Sequence, residues 1–318
     1  MLNKFLNALD IILRRGLMVF LSTLKHIFIS NLLKILFNRK FYFRKIYNFQ
    51  MFLNNDDKGI SRSLILFGKR EEDQKFILDK ILKSHMKVFD VGSNIGYYVL
   101  IESRLLKSEG KILAIEPEEE NIKLLKKNIQ LNNPKVNIQI LKSAVSNKSG
   151  IKKFYYSQQS NLHSFHPDGS AKKFLSGKSK DIEVTTISDL SKKYFKPDII
   201  RMDVEGHEVE IMESLIKDVR RGFLEPIICF EPHISCYTKS HNFAPVLQNL
   251  FKIGYKTKFL SSNAISGTNK IQKLTQKDPI KVIKSDGEIR SIFENIKPND
   301  CIKILTETGG ARTVLLKK

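Results

Sequence analysis

The chain has 318 residues, 42% of them hydrophobic, enough to bury the core of one substantial α/β domain and leave material for a terminal extension. With 54 Lys and Arg against 33 Asp and Glu, its formal charge of +21 favours anionic surroundings without choosing among nucleic acid, acidic lipid and an anionic glycan. Cys229, Cys236 and Cys301 are odd in number and form no C-x-x-C pair, which argues against a disulfide framework or zinc knuckle and points to a reducing, cytoplasmic location.

At the N-terminus, Leu2, Phe5, Leu6, Leu9, Ile12, Leu13, Leu17, Phe20, Leu24, Ile27 and Phe28 recur at three- and four-residue spacing, predicting a basic amphipathic helix. The longest charge-free stretch, Gly16 to Leu24, is short of the ~20 apolar residues of a bilayer span. No small-residue cleavage site follows it. A helix of this kind suits peripheral contact of residues 1–37 with an acidic membrane, on its inner face; packing on the catalytic domain or on a second subunit explains it equally. Residues 38–71 read as a basic, irregular lead-in with a turn at Asn54 to Gly59, so 1–71 form an extension and 72–318 the main domain.

From Glu72 the pattern becomes regular. A helix through Phe76, Ile77, Ile81 and Leu82 precedes a strand over Lys87 to Val91, a Gly-containing turn and a helix to about Leu106. A strand over Lys111 to Ile115 leads to Glu116-Pro117-Glu118 and a helix that stops at Asn132-Asn133-Pro134. A third strand is expected at Val136 to Leu141, a long loop over residues 157–180, and further strands at Ile199 to Val204, Pro226 to Phe230 and Tyr255 to Leu260. Helices separate them at His207 to Ile216 and Ala244 to Phe251, and a hairpin of Cys301 to Leu305 with Thr313 to Leu316 is expected to close the sheet. Strands alternating with helices predict a doubly wound, mostly parallel α/β sheet of about six strands.

The turn Asp90-Val91-Gly92-Ser93-Asn94-Ile95-Gly96 puts small residues where a strand must turn into a helix. It departs from the dinucleotide pattern G-x-G-x-x-G, since Asn94 takes the middle position and Asp90 would repel a pyrophosphate. A carboxylate there suits a cationic ligand such as S-adenosylmethionine, with Asp90 near its amino-acid moiety. Glu116, at the end of the next strand, has the two acceptor oxygens needed for both ribose hydroxyls; an acid at a helix N-terminus is its plainer reading. Ser143 and Ala144 follow the third strand, where small residues would flank an adenine.

Three segments resemble the FkbM-type methyltransferases: Asp90 to Tyr98, the Glu116-Pro117 strand end, and Pro197 to Glu208, which reads PDIIRMDVEGHE. Thr185 to Leu190 resembles the family's approach to the third segment, and the likeness covers residues 72–260. It implies a class I, Rossmann-like methyltransferase fold using S-adenosylmethionine, in a family whose members often O-methylate sugars or polyketide-type acceptors. Arg201 stands where the family more often has Lys, and His207 where a small residue is common.

Methyl transfer to oxygen needs alignment and removal of a hydroxyl proton. Asp203 is the candidate general base, with Glu231 and His233, at the end of the following strand, as helpers. The same three side chains form a rival reading as ligands of a divalent metal that acidifies a sugar diol. Glu205 and Glu208 read as helix N-terminal acids, His207 as an exposed helix residue, and His163 and His166 as solvated loop residues. The expected partner is a hydroxylated small molecule or glycan. A nucleic-acid methyltransferase is disfavoured, because Asp203-Val204-Glu205-Gly206 stands where an Asn/Asp-Pro-Pro-Tyr/Phe tetrapeptide would hold an exocyclic amine. Intact Asp90, Gly92, Gly96, Glu116 and Asp203 argue against a non-catalytic membrane-attached binding module.

Overall fold

The computed structural model of the chain describes residues 11–168 and 172–318. Leu2, Phe5, Leu6 and Leu9 of the predicted stripe lie outside them, as do three residues of the predicted 157–180 loop.

Helix α1 (Leu17–Phe37) leads into an antiparallel hairpin, β1 (Phe41–Ile46) and β2 (Phe49–Asn54), then helices α2 (Ile60–Phe67) and α3 (Glu72–Ile81). The lead-in is therefore regular, and alternation within the hairpin buries Tyr42, Ile46, Phe49, Met51 and Leu53. These side chains share one apolar cluster with Val88 and Leu100, so packing crosses residue 71 without a break. Helix α1 is long and apolar enough, by length and composition, to cross a membrane; 11% of its apolar window is buried. It meets the rest of the protein along one side: Thr23 donates to the Leu66 carbonyl at 3.0 Å, His26 Nδ1 is 2.7 Å from the Tyr42 hydroxyl, Lys34 pairs with Asp56, and Ile29 and Leu33 rest against the core.

The main sheet is built from β3 (Lys87–Val91), β4 (Lys111–Ile115), β5 (Asn137–Leu141), β9 (Ile199–Met202), β10 (Ile227–Phe230), β11 (Lys256–Ser262), β12 (Lys281–Ser285), β13 (Glu288–Ile296) and β14 (Ala311–Lys317). Its order is β12-β13-β11-β14-β10-β9-β3-β4-β5. Strands β10, β9, β3, β4 and β5 are parallel, and the last strand, β14, inserts antiparallel to β10 and β11 between them. This is the class I methyltransferase arrangement, extended at one edge by β13 and β12. The central strands are near-continuous apolar runs because helices cover both faces: α4 (Tyr97–Leu105), α5 (Glu119–Asn132), α6 (Ile187–Lys193), α7 (Glu208–Arg220) and α8 (Ala244–Lys252).

The tail departs from expectation. Ile265–Thr275 forms helix α9, and Cys301 to Leu305 belongs to helix α10 (Pro298–Lys303) and a π turn rather than to a strand. Only Thr313 to Leu316 joins the sheet, which has nine strands rather than about six. A second sheet of β6 (Ala144–Val145), β7 (Gly150–Ser157) and β8 (Leu175–Thr185) projects beyond the carboxyl ends of the parallel strands, so the predicted loop shortens to the β7–β8 connection.

Candidate active site

The order of the sheet reverses between β3 and β9, so the connections leaving these strands diverge and open a crevice at their carboxyl ends. Gly92 enters the turn after β3 at φ +79°, and a Cβ there would collide with the Asp203 carbonyl oxygen. Only glycine lets the two strand ends approach so closely.

One cavity of the crevice is lined by Gly92, Asn94, Glu116, Ser143, Ala144 and Asp203, with Ile115, Val145, Phe154 and Phe165 as apolar walls. Glu116 accepts from the Asn94 backbone N–H at 2.8 Å, and from the Glu118 N–H and Asn121 Nδ2 at 3.1 Å. Burial outweighs these donors and raises its carboxyl to about 7. Asn94 Nδ2 donates to the Ser160 carbonyl at 3.0 Å and fastens the β7–β8 connection over the cavity.

The second cavity shares Gly92, Asn94, Asn161, Asp203 and Glu205 with the first and is otherwise strongly charged. Asp203, with its side chain 29% exposed, lies 3.7 Å from His233 Nε2 and accepts from Arg201 Nη2 at 3.3 Å. His233 Nδ1 is 2.7 Å from Glu208 Oε1, and its Nε2 is 3.6 Å from Glu205 and 3.8 Å from Glu231. Burial opposes charge on His233, but Glu205 and Glu208 outweigh it and hold the ring protonated. Glu231 pairs with Arg312 at the start of β14; because β14 runs antiparallel, its first residues lie at the carboxyl ends of the other strands. Arg312 also donates to Glu71 at 2.7 Å, and Glu71 accepts from the Tyr98 hydroxyl at 2.7 Å.

Residues 90–257, more than half of the chain, match the Methyltransferase FkbM domain. The chain belongs to the FkbM methyltransferase family. A curated relative, Methyltransferase sdnD of Sordaria araneosa, is 25% identical over 161 residues; the match covers 42% of this chain and 62% of the relative, so less than two thirds of the relative's length is spanned. Among solved structures, an S-adenosylmethionine-dependent O-methyltransferase of Thermotoga maritima aligns at a TM-score of 0.38 and 12% identity, covering 78% of this chain and 65% of that one. Trm5b of Pyrococcus abyssi aligns at 0.40 and 14%, covering 88% and 57%.

The FkbM residues fit the cofactor of the family. The turn after β3 is held open by a glycine that tolerates no Cβ, Glu116 presents two oxygens at the end of β4, and Ser143 and Ala144 flank the apolar side of the same cavity, the lining that a planar base needs. Two residues of the turn stand apart from this wall. Asp90 is fully buried and its register partner on β9 is Arg201, whose guanidinium it meets at 3.0 Å; the cation it faces is therefore internal. Gly96 allows α4 to approach α5, since a Cβ there would lie 2.6 Å from Leu125 Cδ1.

Asp203, Glu205 and His233 bring ligand atoms within 4.8 Å of one another, the grouping a divalent ion would need, whereas Glu231 is held off by Arg312. In this cavity a protonated His233 and two guanidiniums already oppose the carboxylates. The histidines correct the sequence reading. His207 is 2% exposed rather than an open helix residue, its ring 4.4 Å from that of Phe165, and His163 lines the first cavity, its Nδ1 accepting from the Ser157 N–H at 2.9 Å. Glu71, Tyr98 and Arg312 are site residues that sequence patterns missed. Arg201 and Arg312, charges inside apolar strand runs, were the available signal.

Proposed function

We propose that this chain O-methylates a hydroxyl of a sugar, glycan or related polyhydroxylated metabolite, with Asp203 as the general base. The observation that carries the reading is the position of Asp203 on the rim shared by the two cavities, partly exposed and held by Arg201. Bound S-adenosylmethionine supplies an electrophilic methyl group, so an O–C bond forms as the C–S bond breaks and the sulfonium becomes a neutral thioether. Gly92, Asn94, Glu116, Ser143 and Ala144 hold the nucleoside end. Asp203 takes the proton of the attacking hydroxyl, and protonated His233 orients Asp203 through the 3.7 Å contact. The second cavity sets acceptors, Asp203, Glu205 and Glu231, beside donors, Arg70 and Arg312, which suits several hydroxyls and disfavours a phosphate backbone.

The test is transfer of a radiolabelled methyl group to a panel of monosaccharides, nucleotide sugars and lipid-linked sugars. Base-stable label on a sugar that disappears in Asp203→Asn supports the reading; label only on amines or on nucleic acid sinks it.

The same proposal places the chain at the cytoplasmic face of an acidic membrane. Leu17, Leu21, Leu24, Phe28, Leu32 and Ile35 form an exposed stripe along α1, near Lys25 and Lys34. Co-sedimentation with phosphatidylglycerol vesicles, lost in Leu24→Asp/Phe28→Asp, is the expected outcome; indifference of the intact chain to such vesicles removes this part.

A further inference from the structure

A second cluster, not used in the proposed reaction, gathers three histidines around one carboxylate. Glu210, in the first turn of α7, has Oε2 at 3.1 Å from His241 Nε2 and 3.3 Å from His207 Nδ1, and Oε1 at 3.8 Å from His166 Nε2. His166 Nε2 and His207 Nδ1 are 3.1 Å apart, and ligand atoms of His166, Glu210 and His241 all fall within 4.8 Å of one another. Bonds of about 2.0–2.1 Å to a tetrahedral ion set donor atoms about 3.3 Å apart, so the spacing is close to that of a coordination shell.

The outward ring nitrogens have partners of their own. His241 Nδ1 is 2.9 Å from the Cys236 carbonyl oxygen, which only accepts, so a proton sits on Nδ1 and Nε2 is the atom that faces Glu210. His207 Nε2 is 2.9 Å from Ser146 Oγ. Its other nitrogen, Nδ1, faces inward, 3.3 Å from Glu210 Oε2. Three ring nitrogens and a carboxylate thus face one point, where a cation would be held by Glu210. An outer N–H given to a carbonyl or hydroxyl is also how metal-bound imidazoles are oriented.

We propose that His166, Glu210 and His241, with His207 as the fourth ligand, hold a Zn²⁺-class ion. An imidazole-rich set with a single carboxylate favours zinc over magnesium or calcium. Four protein ligands leave no open position, so the ion is structural. It ties the β7–β8 connection, which carries His166 and Phe165, to α7 and to the segment after β10, and so fixes one wall of the first cavity.

The experiment uses the full chain, stripped with chelator, dialysed and titrated with Zn²⁺ by calorimetry and with Co²⁺ as a spectroscopic probe. One equivalent is expected to bind, and Co²⁺ is expected to give the intense visible bands of a four-coordinate ion. Both signals should vanish in His166→Gln/His241→Gln with the circular dichroism spectrum intact. His166→Gln alone, a substitution in a surface connection, should weaken Zn²⁺ at least tenfold, which keeps the test open if the double variant misfolds. Absence of stoichiometric binding, or unchanged binding in these variants, overturns the proposal. So does binding that is lost in His233→Gln instead, because the ion would then belong to the Asp203 cluster.

Discussion

The segment from Asp203 to Glu210 feeds two clusters of histidine and carboxylate that differ in proportion. In the first, four carboxylates, from Asp203, Glu205, Glu208 and Glu231, approach one histidine within 3.8 Å. In the second, three histidines approach the one carboxylate of Glu210 within the same distance. Where carboxylates are in excess, the compensating charge is built into the chain as a protonated ring and the guanidiniums of Arg201 and Arg312. Where rings are in excess, a single carboxylate faces several nitrogens, and the proposed ion supplies the charge between them. On the two proposals, the same residue types serve a proton transfer in one place and a fastening in the other.

The largest effect that separates the two clusters is expected from Asp203→Asn. Loss of the base should lower kcat by roughly 10²–10⁴-fold while the Kd for S-adenosylmethionine and the Zn²⁺ stoichiometry stay the same. Activity near that of the parent chain would mean that Asp203 is not the base. Next is Arg312→Met, which leaves buried Glu231 and Glu71 without one of their cations and should cost about 2–4 kcal/mol in urea unfolding. Adding Glu231→Gln should recover part of that loss; no recovery would show that charge compensation is not what Arg312 provides.

How legible these regions were depended on how far apart their parts lie in the chain. The wall of Gly92, Asn94, Glu116, Ser143 and Ala144 was readable because each residue sits at a strand end, where hydrophobic period and turn chemistry mark the position locally. Asp90 was read as facing the ligand because its place in the chain is right. Its direction is set by register against Arg201, 111 residues away, which no local pattern reports. The second cluster needs the β7–β8 connection, the start of α7 and the segment after β10 to meet, so His166 read as a solvated loop residue, His207 as an exposed helix residue, and His241 drew no reading. Strands β12 and β13 escaped notice because Lys, Arg and Glu dilute their alternation.

On the second cluster, Ser146→Ala removes the outer partner of His207 and should weaken Zn²⁺ about tenfold, at the lower end of such effects. An unchanged affinity would take His207 out of the ligand set. The smallest effect concerns a carboxylate that belongs to neither cluster. Glu116 is surrounded by N–H donors, and burial raises its carboxyl to about 7. A raised value means the acid form gains ground below neutrality and one ribose acceptor is lost with it. Cofactor affinity should therefore be full above pH 8 and fall about tenfold by pH 6; a flat profile in Glu116→Gln would assign the dependence to this group.

Strand β14 is the last strand of the chain and lies inside the sheet, between β10 and β11. Until it is synthesised, the two strands it separates have no hydrogen-bonding partner on their facing edges, and Glu71 and Glu231 have no Arg312. During translation, at roughly 5–20 residues per second, the cofactor-side strands can be complete while the sheet is still divided. The chain therefore becomes competent in one late, long-range step, and a premature stop shortly before Ala311 would yield a protein that carries every residue of the FkbM match yet exposes two sheet edges to aggregation.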